Sequence, residues 1–213
     1  MDTRTKEAVR YLGYGRHAVD DHTLALIGEA FEELDLMAAK RIVYRIFGLT
    51  LKEQDCVVIG DLCIRSRSLS KNLKGCDMAA VLGATLGIEI DMYMKKLSIT
   101  NMAKAVIVQS CAAALLEEYV DSCQLEIEQE AKERGLYLRP RFSPGYGDFP
   151  IEHQEQILRM LDTAKKIGLT MTGSSMLTPT KSVTAVIGMS RIKEPCHRKG
   201  CEMCGMTDCP YRR

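Results

Sequence analysis

Leu24, Ile27, Phe31 and Leu34 recur at helical spacing behind Asp20-Asp21, and either aspartate suits an N-cap. Two short apolar runs, 41–47 and 56–59, read as strands, and 78–85 reads as a third, ended by Leu86-Gly87. From Asn101 to Arg134 the chain holds neither proline nor glycine and is rich in Ala, Leu and Glu. That pattern predicts one long helix, buried in its first half and solvated in its second, where 126–133 is mostly charged. An extended segment, 137–142, leads into a Pro144-Gly145 turn. A helix starting near Pro150 or Ile151 then carries Ile157, Leu158 and Leu161, and 182–189 alternates enough to be a last strand. Strands and helices do not alternate regularly. The expectation is an α+β domain with a mixed or antiparallel twisted sheet and flanking helices, one of them long and partly buried. The hydrophobic period ends at Arg191, which divides the chain into a body, 1–190, and a tail, 191–213.

Composition narrows the class. Of 213 residues, 46% are hydrophobic and 27% charged, which excludes disordered and fibrous chains. A net charge of +1 lacks the electrostatic footprint of a general nucleic-acid binder, so no nucleic-acid partner is expected. The charged N-terminus has no apolar core behind it, and the most apolar stretch, 102–116, is broken by Lys104, Gln109 and Ser110. No secretory signal and no membrane span are expected, and the location that follows is cytoplasmic.

The nine cysteines are then read in a reducing compartment. Cys56, Cys63, Cys76, Cys111 and Cys123 lie among apolar residues and are expected to be small buried hydrophobes. The other four form Cys196-x4-Cys201-x2-Cys204-x4-Cys209. Four thiols at ligand-compatible spacing point to a metal. Only Cys201 and Cys204 make the knuckle usual in structural zinc, whereas Cys-x4-Cys-x2-Cys resembles the first three ligands of plant-type iron–sulfur ferredoxins. Zinc, an iron–sulfur cluster and free thiols all stay open.

Within the body, residues 139–150 (Arg-Pro-Arg-Phe-Ser-Pro-Gly-Tyr-Gly-Asp-Phe-Pro) carry the most chemistry. Arg141 arrives beside a turn in which Pro144 fixes one φ and Gly145 permits a positive one. A guanidinium there suits a carboxylate or phosphate, with Tyr146 as an aromatic wall. A plain structural loop with a surface arginine fits the same residues. Other motifs fail. Asp20-Asp21-His22-Thr23-Leu24-Ala25 has alanine where the cobalamin-binding signature needs glycine, and Gly13-Tyr14-Gly15 follows no strand. No G-x-S-x-G elbow is present, so hydrolase chemistry is not expected.

Arg141-Phe142-Ser143-Pro144-Gly145-Tyr146 resembles the R-x-A-P-G-Y motif of the activation domain of cobalamin-dependent methionine synthase. Residues 10–14, 84–87 and 179–183 extend the likeness to a short, stand-alone form of that domain. The resemblance implies binding of S-adenosylmethionine and presentation of its methyl group to cob(I)alamin held by a partner. That partner is a methionine synthase or another corrinoid protein, with flavodoxin or ferredoxin as electron donor. It also implies that Arg141, Ser143, Gly145 and Tyr146 contact S-adenosylmethionine, with no catalytic residue of the chain's own. Departures are Phe142 for a proline, Ser143 for an alanine, Gly147 for a second proline, and Ile187 where the fused domains carry a tyrosine. The cysteine tail has no counterpart in the fused domains. It is expected to be an electron relay if it holds a cluster, and a clasp or docking knob if it holds zinc. The rival expectation is a non-catalytic adaptor that docks on a corrinoid methyltransferase through the fold and the four-cysteine tail.

Overall fold

A computed structural model describes residues 1–14 and 17–193. Their elements run α1 (Thr3–Tyr11), α2 (Asp21–Met37), β1 (Arg41–Lys52), β2 (Cys56–Ile59), β3 (Leu62–Arg65), α3 (Arg67–Asn72) and β4 (Met78–Thr85). The chain continues through α4 (Ile88–Thr100), α5 (Met102–Glu133), β5 (Tyr137–Leu138), α6 (His153–Leu161) and α7 (Thr163–Ile167). It closes with β6 (Thr170–Met171), β7 (Leu177–Thr178) and β8 (Ser182–Ser190). The α+β class, the antiparallel sheet and the long helix of the sequence reading are all present. No helix among the described residues is long and apolar enough to cross a membrane.

Contacts gather the described residues into two compact units. The first holds Met1–Ala39 and Leu86–Asp121 and is helical. Asp20 is the cap the sequence offered: its carboxylate accepts from the Thr23 amide at 2.9 Å, satisfying a first-turn donor of α2. Ile27, Ala30, Phe31 and Leu34 fill one stripe of α2 and are buried, as are Val108, Cys111 and Leu115 of α5. Glu33 accepts from Tyr93 at 2.6 Å and from Lys104 at 2.7 Å, tying α2, α4 and α5 at their polar rims.

The second unit, Lys40–Thr85 with 122–193, is built on a six-stranded sheet in the order β3-β2-β1-β4-β8-β5. Every neighbouring pair is antiparallel. β4 and β8 are central and buried on both faces: Ala79, Val81 and Val186 point one way, Ala80, Leu82, Ala185 and Ile187 the other. This explains why 78–85 reads as an unbroken apolar run rather than an alternation. The first face packs on α3 and α6 through Leu69, Leu73, Ile157 and Leu161. On the other face Tyr44 of β1 donates to Glu130 of α5 at 2.9 Å. From residue 122 on, α5 buries only Cys123, Ile127 and Ala131 among its apolar side chains, a single stripe four residues apart, as its charged sequence required.

β1 runs five residues past the expected Phe47, because Leu49 to Lys52 pair with β2. Cys76, Cys111 and Cys123 are buried as expected, but Cys56 is only half-buried and Cys63 is exposed. The cause is strand alternation. Val57, Ile59, Leu62 and Ile64 take the core face of the β2–β3 hairpin, which leaves both cysteines on the outer one.

Candidate functional site

The sequence places Arg141 two residues after Arg139, so a regular strand would put both side chains on one face. The structure does otherwise. Tyr137, Leu138 and Arg139 pair with Ser190, Met189 and Gly188, the last through the Arg139 amide donating to the Gly188 carbonyl at 2.8 Å. Phe142 next exchanges both backbone hydrogen bonds with Val186, each 2.9 Å. Pro140 and Arg141 therefore stand opposite the single residue Ile187. This is a β-bulge at the sheet edge, and Pro140, with no N–H to donate, is a natural occupant of it.

The bulge separates the two arginines. Arg139 is buried against the turn after α3: an added Cβ at Gly188 would lie 3.2 Å from its Cγ, and its Nη2 donates to the Lys74 carbonyl. Arg141 turns to the other side, where its Nη1 donates to Oε1 of Gln124 on α5 at 3.0 Å. Gln124 thus belongs to the site, and nothing in its local sequence announced it.

After the bulge the chain makes two consecutive turns. The Tyr146 amide donates to the Ser143 carbonyl at 3.1 Å, with Pro144 and Gly145 (φ +90°) at the corners, which is a type II turn. The Phe149 amide then donates to the Tyr146 carbonyl at 3.0 Å, and the Gly145 amide to the Phe149 carbonyl at 2.8 Å. Gly147 has φ +56°, and a Cβ there would sit 2.9 Å from Ser68 Oγ. A side chain there would be strained by the positive φ and would have to displace Ser68.

The closeness has a purpose in the loop. Asp148 accepts from the Ser66 hydroxyl (2.6 Å), the Arg67 amide (2.8 Å) and the Ser68 amide (3.0 Å), while Ser66 Oγ accepts from the Leu69 amide (3.0 Å). The first-turn donors of α3 are satisfied from a loop some 80 residues away in sequence. The Ser66 hydroxyl first, then the two amides, hold the Asp148 carboxyl far below the usual carboxylate range. Phe142 and Phe149 stack with ring centroids 6.4 Å apart, and Phe149 is fully buried in the core.

Anchored by the bulge and by Asp148, the loop presents Arg141 and Ser143 half-buried and Gly145 and Tyr146 exposed, Tyr146 at 69%. The four residues lie together on one short segment with fixed ends. That arrangement can bind an anionic group at the guanidinium and place an aromatic ring beside it. Ile187 is at 0% exposure, paired with Ala80 in the sheet, so it is a core residue and no wall of the site. Arg141 and its neighbours are not in the cleft of about 590 Å3 under α6, which is lined by Glu155, Arg159, Asp162, Thr170 and Thr172 among others. Cys196, Cys201, Cys204 and Cys209 lie outside the described residues. Among the described residues no three His, Cys, Asp or Glu side chains group as a metal site.

No family model matches the sequence, and no curated protein does. Among solved structures, the crystal structure of the MetH reactivation domain bound to AdoHcy matches with a TM-score of 0.62. The match covers 90% of this chain and 77% of that one at 16% identity. The likeness is therefore one of fold.

Proposed function

We propose that this chain binds S-adenosylmethionine at the 141–146 loop and presents it to a reduced corrinoid held by a partner protein, a methionine synthase or a related methyltransferase. The observation that carries this reading is the bulge. It takes an arginine out of strand register and sets it beside a type II turn on a fold shared with a reactivation domain whose crystal structure holds AdoHcy.

The residues fit such a ligand. Arg141 donates to the amide oxygen of Gln124, and a planar guanidinium matches the two oxygens of a carboxylate. Backbone groups at Ser143 and Gly145 stand close enough to the surface for polar contacts, and Tyr146 offers a flat face. S-adenosylmethionine supplies an activated methyl group when bound. The chain's own work is to bind and to orient, which is where such accessory proteins gain rate.

In this reading residues 1–190 form the ligand-presenting body, as a stand-alone counterpart of a reactivation domain. Residues 191–213 form a cysteine appendage holding zinc or an iron–sulfur cluster on Cys196, Cys201, Cys204 and Cys209. Flavodoxin or ferredoxin supplies the electron.

Calorimetric titration of anaerobically purified protein with S-adenosylmethionine tests the proposal. Saturable binding is expected, and Arg141→Ala is expected to weaken it about 10- to 150-fold, the usual worth of a charge-assisted contact. No binding by the wild type overturns it in favour of an adaptor that retains the fold alone. Metal analysis of the same sample, with Cys201→Ser/Cys204→Ser alongside, tests the appendage. Loss of bound zinc or iron in the double variant is the expected result.

A further inference from the structure

The β2–β3 hairpin holds a second site, unrelated to the 141–146 loop. Its two strands are joined by Gly60-Asp61 alone, and Ile59 pairs with Leu62, so the register is tightly fixed. Cys56 pairs across with Arg65 and Val58 with Cys63, which makes Cys56 and Cys63 diagonal neighbours on the outward face. Their sulfurs are 3.3 Å apart. Free cysteines are among the most buried of residues, so two in contact on a solvent-facing sheet surface call for an explanation.

The surroundings are charged. Cys56 is flanked in the sheet by two cations, Lys52 of β1 on one side and Arg65 of β3 on the other. Cys56 and Cys63 share a hydrogen bond in which either thiol can donate; that bond raises the Cys56 pKa, and the charges of Lys52 and Arg65 oppose the rise. At Cys111 the cause is different: burial pushes its thiol up to about 12.

We infer that Cys56 and Cys63 form a redox-active dithiol that exchanges with small-molecule disulfides. One protein thiolate attacks the disulfide RS–SR; the protein–SR bond forms as the S–S bond breaks, and RS⁻ leaves and takes a proton from water. The second cysteine, deprotonated, attacks the protein sulfur of the mixed disulfide and expels the other RS⁻. Two protein thiols lose two electrons, the reagent gains them as two thiols, and the product is a Cys56–Cys63 disulfide that staples the edge strand β3 to β2. An excess of thiol reverses every step.

The test uses the whole chain incubated with glutathione disulfide, quenched by alkylation and mapped as non-reduced peptides. The expected product links Cys56 to Cys63 and disappears on treatment with dithiothreitol. In Cys56→Ser, Cys63 is expected to accumulate as the glutathione adduct, with a lifetime at least tenfold longer than any adduct in the wild type. A wild type that keeps a persistent adduct on Cys63, that links Cys63 to a tail cysteine, or that leaves both thiols free overturns the proposal.

Discussion

The six-stranded sheet has two edges, and they differ in what irregularity does. At β5 the pairing runs from Tyr137 through Arg139 and is then broken by a bulge, and the break sends Arg141 away from the face that Arg139 occupies. At β3 the pairing is regular over four residues, and regularity alone brings Cys56 and Cys63 into contact. Both edges are short, charged or proline-bearing, as edges that resist pairing with other chains must be. The lesson is that a side chain can be aimed either by breaking a ladder or by keeping it, and only the first needs external anchors. The 141–149 segment has those anchors in Asp148, Phe149 and the Gly147–Ser68 approach.

The strongest way to break the comparison is to remove an anchor. Gly147→Ala forces a side chain into positive φ and against Ser68, and is expected to cost about 1–3 kcal/mol in urea unfolding. It should also weaken S-adenosylmethionine binding, because the loop cannot keep its place on α3. A loss below 0.5 kcal/mol with intact binding would show that the anchor is dispensable.

Asp148→Ala is expected to cost about 1–2 kcal/mol, the range of a lost helix cap. Its signature lies in pH. Because the folded-state pKa is depressed, Asp148 contributes stability in full above its unfolded value near 3.8, and the contribution fades as pH falls below that. Urea unfolding at pH 7 and pH 3 should therefore show a smaller difference for Asp148→Ala than for the wild type. Equal differences would mean the carboxylate is not held as its hydrogen bonds indicate.

Gln124→Ala sharpens the comparison from the arginine's side. Losing one neutral hydrogen bond to the guanidinium is expected to reduce ligand affinity about two- to fivefold with little change in stability. At the other edge, Cys63→Ser is expected to leave both stability, within about 0.5 kcal/mol, and ligand affinity untouched, since an exposed side chain on a regular strand supports neither. An effect on ligand affinity would mean the edges are coupled.

Much of this was legible in the sequence where the signal is local. The Asp20 cap, the limits of β4, the glycine-free run of α5 and the Pro144-Gly145 turn all follow from residues within a few positions of one another. β3 and α3 were missed because four and six residues carry too little periodicity to separate from loop. α4 was missed because Ile88, Met92 and Ile99 are exposed, so its apolar residues do not mark one buried face. The four loop residues proposed as the site could be named from the sequence, but what holds their segment could not. A bulge is a relation between two strands, and here the partner strand lies more than 40 residues on. Asp148's partners are about 80 residues away, and Gln124 sits in a run of polar residues that looks merely solvated. The cysteines of the hairpin misled because residue type favours burial while strand alternation, invisible without β3, puts them outside.

The central claim is that the bulge, not the presence of arginine as such, makes the site. Titration of S-adenosylmethionine into Arg141→Ala and Arg139→Ala, beside the wild type, tests it most directly. The account predicts that Arg141→Ala loses about 10- to 150-fold in affinity, while Arg139→Ala binds within about threefold of the wild type despite its lost packing. Equal losses in the two variants, or a larger one in Arg139→Ala, would contradict it.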